Sequence, residues 1–304
     1  HSNGDIQING GKFLLSSGDD GAHADSALII NGGEIKISKS YEGIEGKTVT
    51  VTSGTVDITS SDDGINAADG NTTSLGGAPN GKVSSDVYIN ISGGYITVNA
   101  SGDGIDSNGD INISGGVLLV SGPVSDADGA LDCDGTAVIT GGTAILCGSS
   151  GMAQTFSDTS AQASLMYTFD SSVNAGTSIA LVNSEGRVIA SFLPSKQYTS
   201  VVISTPELTV GSSYTLSVGG TVSKCDKNGY TNSGTTQGAQ SENAVKISSV
   251  ASIYGKTGGI RGNNGKNQNP QNNGDKPKET FGGQGKSKNG APPELPDNEK
   301  TQKS

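Results

Sequence analysis

The sequence predicts an all-β protein. Residues 1–156 read as a single-stranded parallel β-helix, residues 157–254 as a β-strand cap, and residues 255–304 as a disordered tail. Three observations predict this. A repeat of about 22 residues runs from residue 4 to residue 156, and a period of that length marks a solenoid. Each repeat holds two short apolar strings of period 2 and a third stub, a strand pattern with no room for a crossover helix. The chain is also poor in bulky side chains without losing pattern: it has 47 Gly, 5 Phe and no Trp, and its 32% of hydrophobic residues form strings of Ile, Val and Leu.

Two marks register the repeats. The turn before the second string falls at Gly10-Gly11, Gly32-Gly33, Ser53-Gly54, Gly93-Gly94, Gly115-Gly116 and Gly141-Gly142. An acidic residue followed by Gly comes next, at Asp20-Gly21, Glu42-Gly43, Asp63-Gly64, Asp103-Gly104 and Asp128-Gly129, with Ser150-Gly151 last. An insertion over about 70–85 separates the third and fourth units. Inward positions start with Ile6, Ile8, Phe13 and Leu15 and recur through Leu28, Ile30, Ile35 and Ile37 to Ile111, Ile113, Leu118 and Val120. Strands this short cannot stand alone. Stacking each unit on the next buries the strings in columns of like residues spaced about 4.8 Å apart. The glycines are expected to supply the positive-φ corners.

Charge is concentrated in the repeats. Residues 1–156 hold 19 acidic residues against 5 Lys and no Arg, a net of −14, whereas residues 157–304 carry +3. Such a front excludes nucleic acid as a partner, because neutralising phosphate takes Lys and Arg. No stretch approaches the roughly 18 apolar residues of a membrane span.

Stacking turns the acids into columns. Asp20, Glu42, Asp63 and Asp103 form one, with Asp128 at its displaced end. His23, Glu45, Asn66, Asp106 and Asp132 form a second, and Asp69 is among the flanking carboxylates. Carboxylates that close repel by several kcal/mol at low effective dielectric, and Lys47 is the only base in these corners outside the insertion. Several structural Ca²⁺ ions are the economical compensation, since each takes six to eight oxygens. The candidate ligands are Asp20, Glu42, Glu45, Asp63, Asn66, Asp69, Asp103, Asp106, Asp128 and Asp132. The competing reading is Asx-turn chemistry, in which Asp-Gly makes a good corner; it explains one acid per repeat but not the second column.

The repeat unit h-x-I-x-G-G-x-h-x-h…D-G-I-x-x-x-G, followed by GTSIALVNSEGRVIASFLPSKQYTSVVIS at residues 176–204, resembles a group of secreted clostridial proteins. These are calcium-binding, polysaccharide-lyase-like β-helix proteins that bind cellulose or polygalacturonate. The resemblance covers about residues 4–255. It implies a right-handed, pectate-lyase-like β-helix with several structural Ca²⁺ ions. It also implies noncatalytic, extracellular binding of a plant cell-wall polysaccharide, either pectin or cellulose.

The strings SLMYTFD, TSIALVNS, RVIASFLP, TSVVIST and SSYTLSVGG, bounded by Asn, Gly and Pro, read as antiparallel strands of the cap. A last strand is expected over about 244–254. Val117, Leu119 and Ile145 are apolar at outward positions, as a docked C-terminal segment requires. Cys133, Cys147 and Cys225 give no disulfide framework or zinc site.

Tyr88, Tyr95 and Lys47 are the candidate carbohydrate contacts. Lys47 is also the candidate catalytic base of the first alternative, a polysaccharide lyase, since β-elimination needs a positioned base beside a Ca²⁺-acidified proton. The second alternative is a structural surface spacer or adhesin. The chain is expected to be a secreted or cell-surface monomer. Beginning at His1 without a leader's apolar segment, it reads as a processed or trimmed piece of something longer.

Overall fold

The computed structural model describes residues 1–69, 83 and 85–255. Apart from residues 83, 85 and 255, the expected insertion and the expected disordered tail lie outside the described residues. Every regular element among the described residues is a strand, and the stacked parallel strands form a β-solenoid of about 6 turns.

The first coil is β1 (Ile6–Leu15) and the second is β2 (Ala22–Ile37). The third is β3 (Ile44–Val51) with β4 (Thr55–Ser60), and the fourth is β5 (Ile65–Ala67) with β6 (Tyr88–Ala100). β7 (Ile105–Ser107) and β8 (Asp110–Ser121) make the fifth. β9 (Asp132–Cys133), β10 (Ala137–Ile139) and β11 (Thr143–Gly148) make the sixth.

Register follows the apolar pattern, because a one-residue slip would turn every Ile and Val outward. Ile6 lies on Leu28, Leu28 on Val49, Val49 on Ile89, Ile89 on Ile111, and Ile111 on Ala137. A second column runs Phe13, Ile35, Val56, Ile96, Leu118, Ala144. The stubs stack as Ala22, Ile44, Ile65 and Ile105. From the second coil onward these side chains are buried except Ala22, which is half-buried.

The glycines divide into two columns with different causes. Gly11, Gly33, Gly54, Gly94, Gly116 and Gly142 have φ between 80° and 102°, the left-handed corner that favours glycine. Gly21, Gly43, Gly64 and Gly104, which follow the acids, do not. There a Cβ would sit 2.2–2.5 Å from the backbone carbonyl oxygen of the next coil. Close approach, not positive φ, is what demands glycine at the acidic corners.

The C-terminal strands cap the last coil. β15 (Tyr198–Ser204) pairs antiparallel with both β11 and β12 (Ser164–Val173), and β20 (Ala251–Tyr254) pairs parallel with β12. A four-stranded antiparallel sheet runs in the order β14 (Val188–Phe192), β13 (Ile179–Val182), β16 (Ser213–Val218), β19 (Ser241–Lys246). β17 (Thr221–Val222) and β18 (Thr236–Gln237) form a small separate pair. Leu119 and Ile145, apolar on the outer face of the late coils, are buried in a second core with Ile179, Leu181 and Leu216, and Val117 packs against it.

One expected element splits. The single strand over about 244–254 is β19 and β20, in different sheets, because Ser252 Oγ accepts the backbone N–H groups of both Ser248 and Ser249 and turns the chain between them. The three cysteines are free, with Cys133 and Cys147 buried.

The glycine assignment has a direct check by thermal unfolding. Gly64→Ala drives a Cβ to 2.2 Å from Val98 Cγ1 and 2.5 Å from the Gly104 carbonyl oxygen, so a loss of about 1–3 kcal/mol is expected from overpacking. Gly18→Ala, with nothing within 4 Å, is expected to melt as the wild type does.

Candidate functional site

The acidic corners are built by the backbone first. Gly21 N–H donates to the Glu42 carbonyl, Gly43 to Asp63 and Gly64 to Asp103, which stacks each acid on the last. The side chains then reinforce the stack. Asp20 Oδ1 accepts the Glu42 N–H at 3.1 Å, Asp63 Oδ1 accepts the Asp103 N–H at 2.7 Å, and Asp103 Oδ1 accepts the Gly129 N–H. One carboxylate oxygen at each of these corners therefore does Asx-type corner work.

The second column is also in register. His23 pairs with Glu45, Glu45 with Asn66, Asn66 with Asp106, and Asp106 with Asp132. Together the two columns bring side chains into compact clusters. Ligand atoms of Asp63, Asp103 and Asp106 lie within 4.8 Å of one another, and so do those of Asp20, His23 and Glu45.

The two ends of this edge differ chemically. At the first coils His23 is the counter-ion: its Nδ1 is 2.9 Å from Asp20 Oδ2 and 2.5 Å from Glu45 Oε2, and its Nε2 is 3.3 Å from Asp25 Oδ1. Its ring stacks on His1 at 4.4 Å between centroids. Burial alone would lower the His23 pKa, but the hydrogen bond to Asp20 and the charges of Glu45, Asp20 and Asp25 outweigh it, and the net shift is upward. At the later coils the cluster is all oxygen. Burial and mutual repulsion push Asp63 up to about 7 and Asp103 up to about 8, and hold Asp106 well above the ordinary carboxylate range. Burial raises Glu42 to about 8 despite its hydrogen bond from Asn66, and raises Glu45 to about 7 despite His23.

Asn66 sits between the two ends. It is 7% exposed, and its Nδ2 donates to Glu42 Oε2 at 2.9 Å. Its Oδ1 is buried without a hydrogen-bond donor among the described residues.

One expected ligand falls outside its column, and a flanking one outside the clusters found among the described residues. Gly129, not Asp128, occupies the position above Asp103, since Gly104 N–H donates to the Gly129 carbonyl and Asp132 pairs with Asp106. The three extra residues of the fifth unit shift Asp128 back by one place, where burial and the charge of Asp62 raise its pKa. Asp69 lies beyond the end of β5 and belongs to none of the clusters. Conversely, Gln154, 4% exposed, is a neighbour of the second column that was not expected: its side-chain amide Nε2 donates to Asp132 Oδ1. Its signal was the repeat itself, since Gln154 stands 22 residues after Asp132.

The candidate sugar contacts are spread apart. Tyr95 is committed to the junction with the C-terminal strands: its hydroxyl donates to Asp226 Oδ2 at 2.5 Å and accepts from Asn228 Nδ2 at 3.1 Å, and its ring meets Tyr230 edge-on. Tyr88 stacks between Thr48 and Asp110 at the start of β6. Lys47 lies in β3, two residues beyond Glu45, whose cation is His23 instead.

A cleft forms where the C-terminal strands overhang the outer face of the middle coils. It has a volume of about 260 Å³, and Lys36, Asp57, Thr97, Asn99, Leu193 and Asn228 are among its walls. Lys36, Asp57 and Thr97 come from one outward column. Asp57 is held by Lys36 Nζ at 3.5 Å and by the Thr97 hydroxyl at 3.0 Å, and Leu193 is 41% exposed beside them. An oriented carboxylate, an amine, amides and an apolar patch together can bond sugar hydroxyls and cover a sugar's C–H face.

Residues 1–86 match a family model described as carbohydrate-binding domain-containing protein. The match supports a carbohydrate-binding role. It spans the first three coils and β5 of the fourth, and so includes Lys36 and Asp57 as well as Asp20, His23, Glu42, Glu45, Asp63 and Asn66. No curated protein and no solved structure matches the chain.

The raised carboxylates set the pH response of the metal-free protein. Free Asp and Glu titrate near 4, whereas Glu42, Glu45, Asp63 and Asp103 hold their protons to about 7–8 in the fold. Between those limits the folded state binds more protons than the unfolded state, so stability falls as pH rises through the window. The raised His23 acts in the same direction above its ordinary 6.5. In chelator the melting temperature is expected to fall steadily from pH 5 to pH 8, and to fall less in Asp106→Asn. A flat or rising profile would contradict the electrostatics described here.

Proposed function

We propose that the chain is a noncatalytic, extracellular binding protein for plant cell-wall polysaccharide, pectin or cellulose, with its coil edge braced by Ca²⁺. The observation that carries the binding role is the coincidence of the family match over residues 1–86 with the coils that supply Lys36 and Asp57 to the cleft.

The donor set at the later coils fits a hard cation. Asp63, Asp103 and Asp106 offer carboxylate oxygens within 4.8 Å of one another, and the buried Oδ1 of Asn66, one coil from Asp106, is the neutral amide oxygen that Ca²⁺ accepts. These four residues would hold the ion, which would supply charge compensation, not chemistry. Without an ion, protons do that work. At the first coils His23 already does.

A lyase would need a base beside the bound uronate. Lysine enters the cleft as Lys36, held against Asp57, and Lys47 is not among the lining residues. This arrangement favours binding without turnover.

Retention of the full chain on insoluble cellulose and on immobilised polygalacturonate, with Ca²⁺ or with chelator, tests the reading. The wild type is expected to be retained on at least one of them, Asp57→Ala to lose at least tenfold in affinity, and chelator to weaken binding by loosening the coils. Failure of the wild type to bind either polymer, or release of an unsaturated uronate product, would overturn it.

A further inference from the structure

We infer that the C-terminal strands carry a second glycan site, for a neutral sugar chain, in the cleft between β12 and the start of β19. This rests on the carbohydrate-binding reading above and lies outside the residues of the family match. The cleft measures about 460 Å³, within the roughly 300–1,000 Å³ usual for small-ligand sites and larger than the cleft beside Asp57.

The wall is made by a break in the ladder. β12 pairs with β15 at Thr168 and Ser200 and next at Val173 and Tyr198, so five residue steps of β12 oppose two of β15. Phe169, Asp170, Ser171 and Ser172 bulge out of the sheet and line the cleft. Bulges re-aim side chains at the cost of ladder hydrogen bonds and recur beside functional sites. This one brings Phe169, half-buried, to 4.9 Å from the Tyr167 ring at 52°, with Tyr198 edge-on behind it.

The opposite wall is amide. The Tyr167 hydroxyl donates to Asn243 Oδ1 at 3.1 Å, which orients both groups, and Gln240 and Asn174 are also in the lining. Aromatic rings present an apolar body suited to the C–H face of a pyranose. Amides, each with two donors and an acceptor, suit vicinal hydroxyls. Asp170 is the one charged side chain among the described lining residues, and none of them is a cation that would pair a uronate carboxylate, so the ligand class is neutral.

Calorimetric titration of the full chain with cellohexaose, mannohexaose and hexagalacturonate, in saturating Ca²⁺, tests this. The variants are Asp170→Ala/Gln240→Ala, both at exposed positions, and Asp57→Ala, each first shown to melt like the wild type. The expected result is a site for a neutral hexasaccharide that Asp57→Ala keeps and that Asp170→Ala/Gln240→Ala loses or weakens at least tenfold. If the wild type binds glycan and the double variant is unchanged in stoichiometry and affinity, the second site is wrong while the binding role stands. If hexagalacturonate fills the site that the double variant removes, the neutral class is wrong. If the wild type binds no glycan in titration or on insoluble polymer, the carbohydrate reading fails, and this inference with it.

Discussion

Parallel stacking in register is the constraint on which the rest of this structure depends. Each residue of a coil sits over its counterpart one strand spacing away, so any choice made once must be tolerated six times. For Ile, Val and Leu the repetition is favourable and builds a narrow core. Beside Gly64 it is unforgiving, because the next coil's carbonyl occupies the space of a Cβ. For carboxylates it is costly: burial and repulsion raise the pKa values of Asp63, Asp103 and Asp106 together.

The acids persist at those corners because they also hold the coils together. Asp20, Asp63 and Asp103 each accept a backbone N–H of the following coil, so replacing one loses a corner as well as a charge. What remains is to neutralise the column, and the two ends differ in how that is done. His23 lies among Asp20, Glu45 and Asp25 at the first coils. At the later coils the clustered ligand atoms are oxygens, with the amide oxygen of Asn66 nearby and without a donor among the described residues. Corner chemistry explains one oxygen of each corner acid, and the cation proposed above would give a use to the rest.

The repeat made the solenoid legible. The inward positions read from the period are the ones that stack, and apolar Val117, Leu119 and Ile145 correctly signalled a docked C-terminal unit. Legibility failed where the period broke. Asp128-Gly129 looks like the acidic corner of the fifth coil, yet Leu131, by filling the apolar column, sets the register and puts Gly129 over Asp103. The clefts were hidden for another reason. Lys36, Asp57, Thr97, Leu193 and Asn228 are scattered along the chain, and only the docking of the C-terminal strands makes them neighbours. Tyr95 was legible as an aromatic available to a sugar on the outer face, but Asp226 and Asn228, which hold its hydroxyl, lie more than 130 residues away in sequence.

The proposal most in need of a test is that the carboxylate column binds Ca²⁺ in exchange for its protons. The most direct measurement is calorimetric titration of Ca²⁺ into chelator-stripped protein at pH 7, in two buffers of different ionisation enthalpy. Because Asp63, Asp103 and Glu42 still hold protons at that pH, binding is expected to release protons, and the apparent enthalpy should change with the buffer. Asp106→Asn should weaken binding at least tenfold. Absence of Ca²⁺ binding at millimolar concentration, or binding with no proton release, would contradict the account.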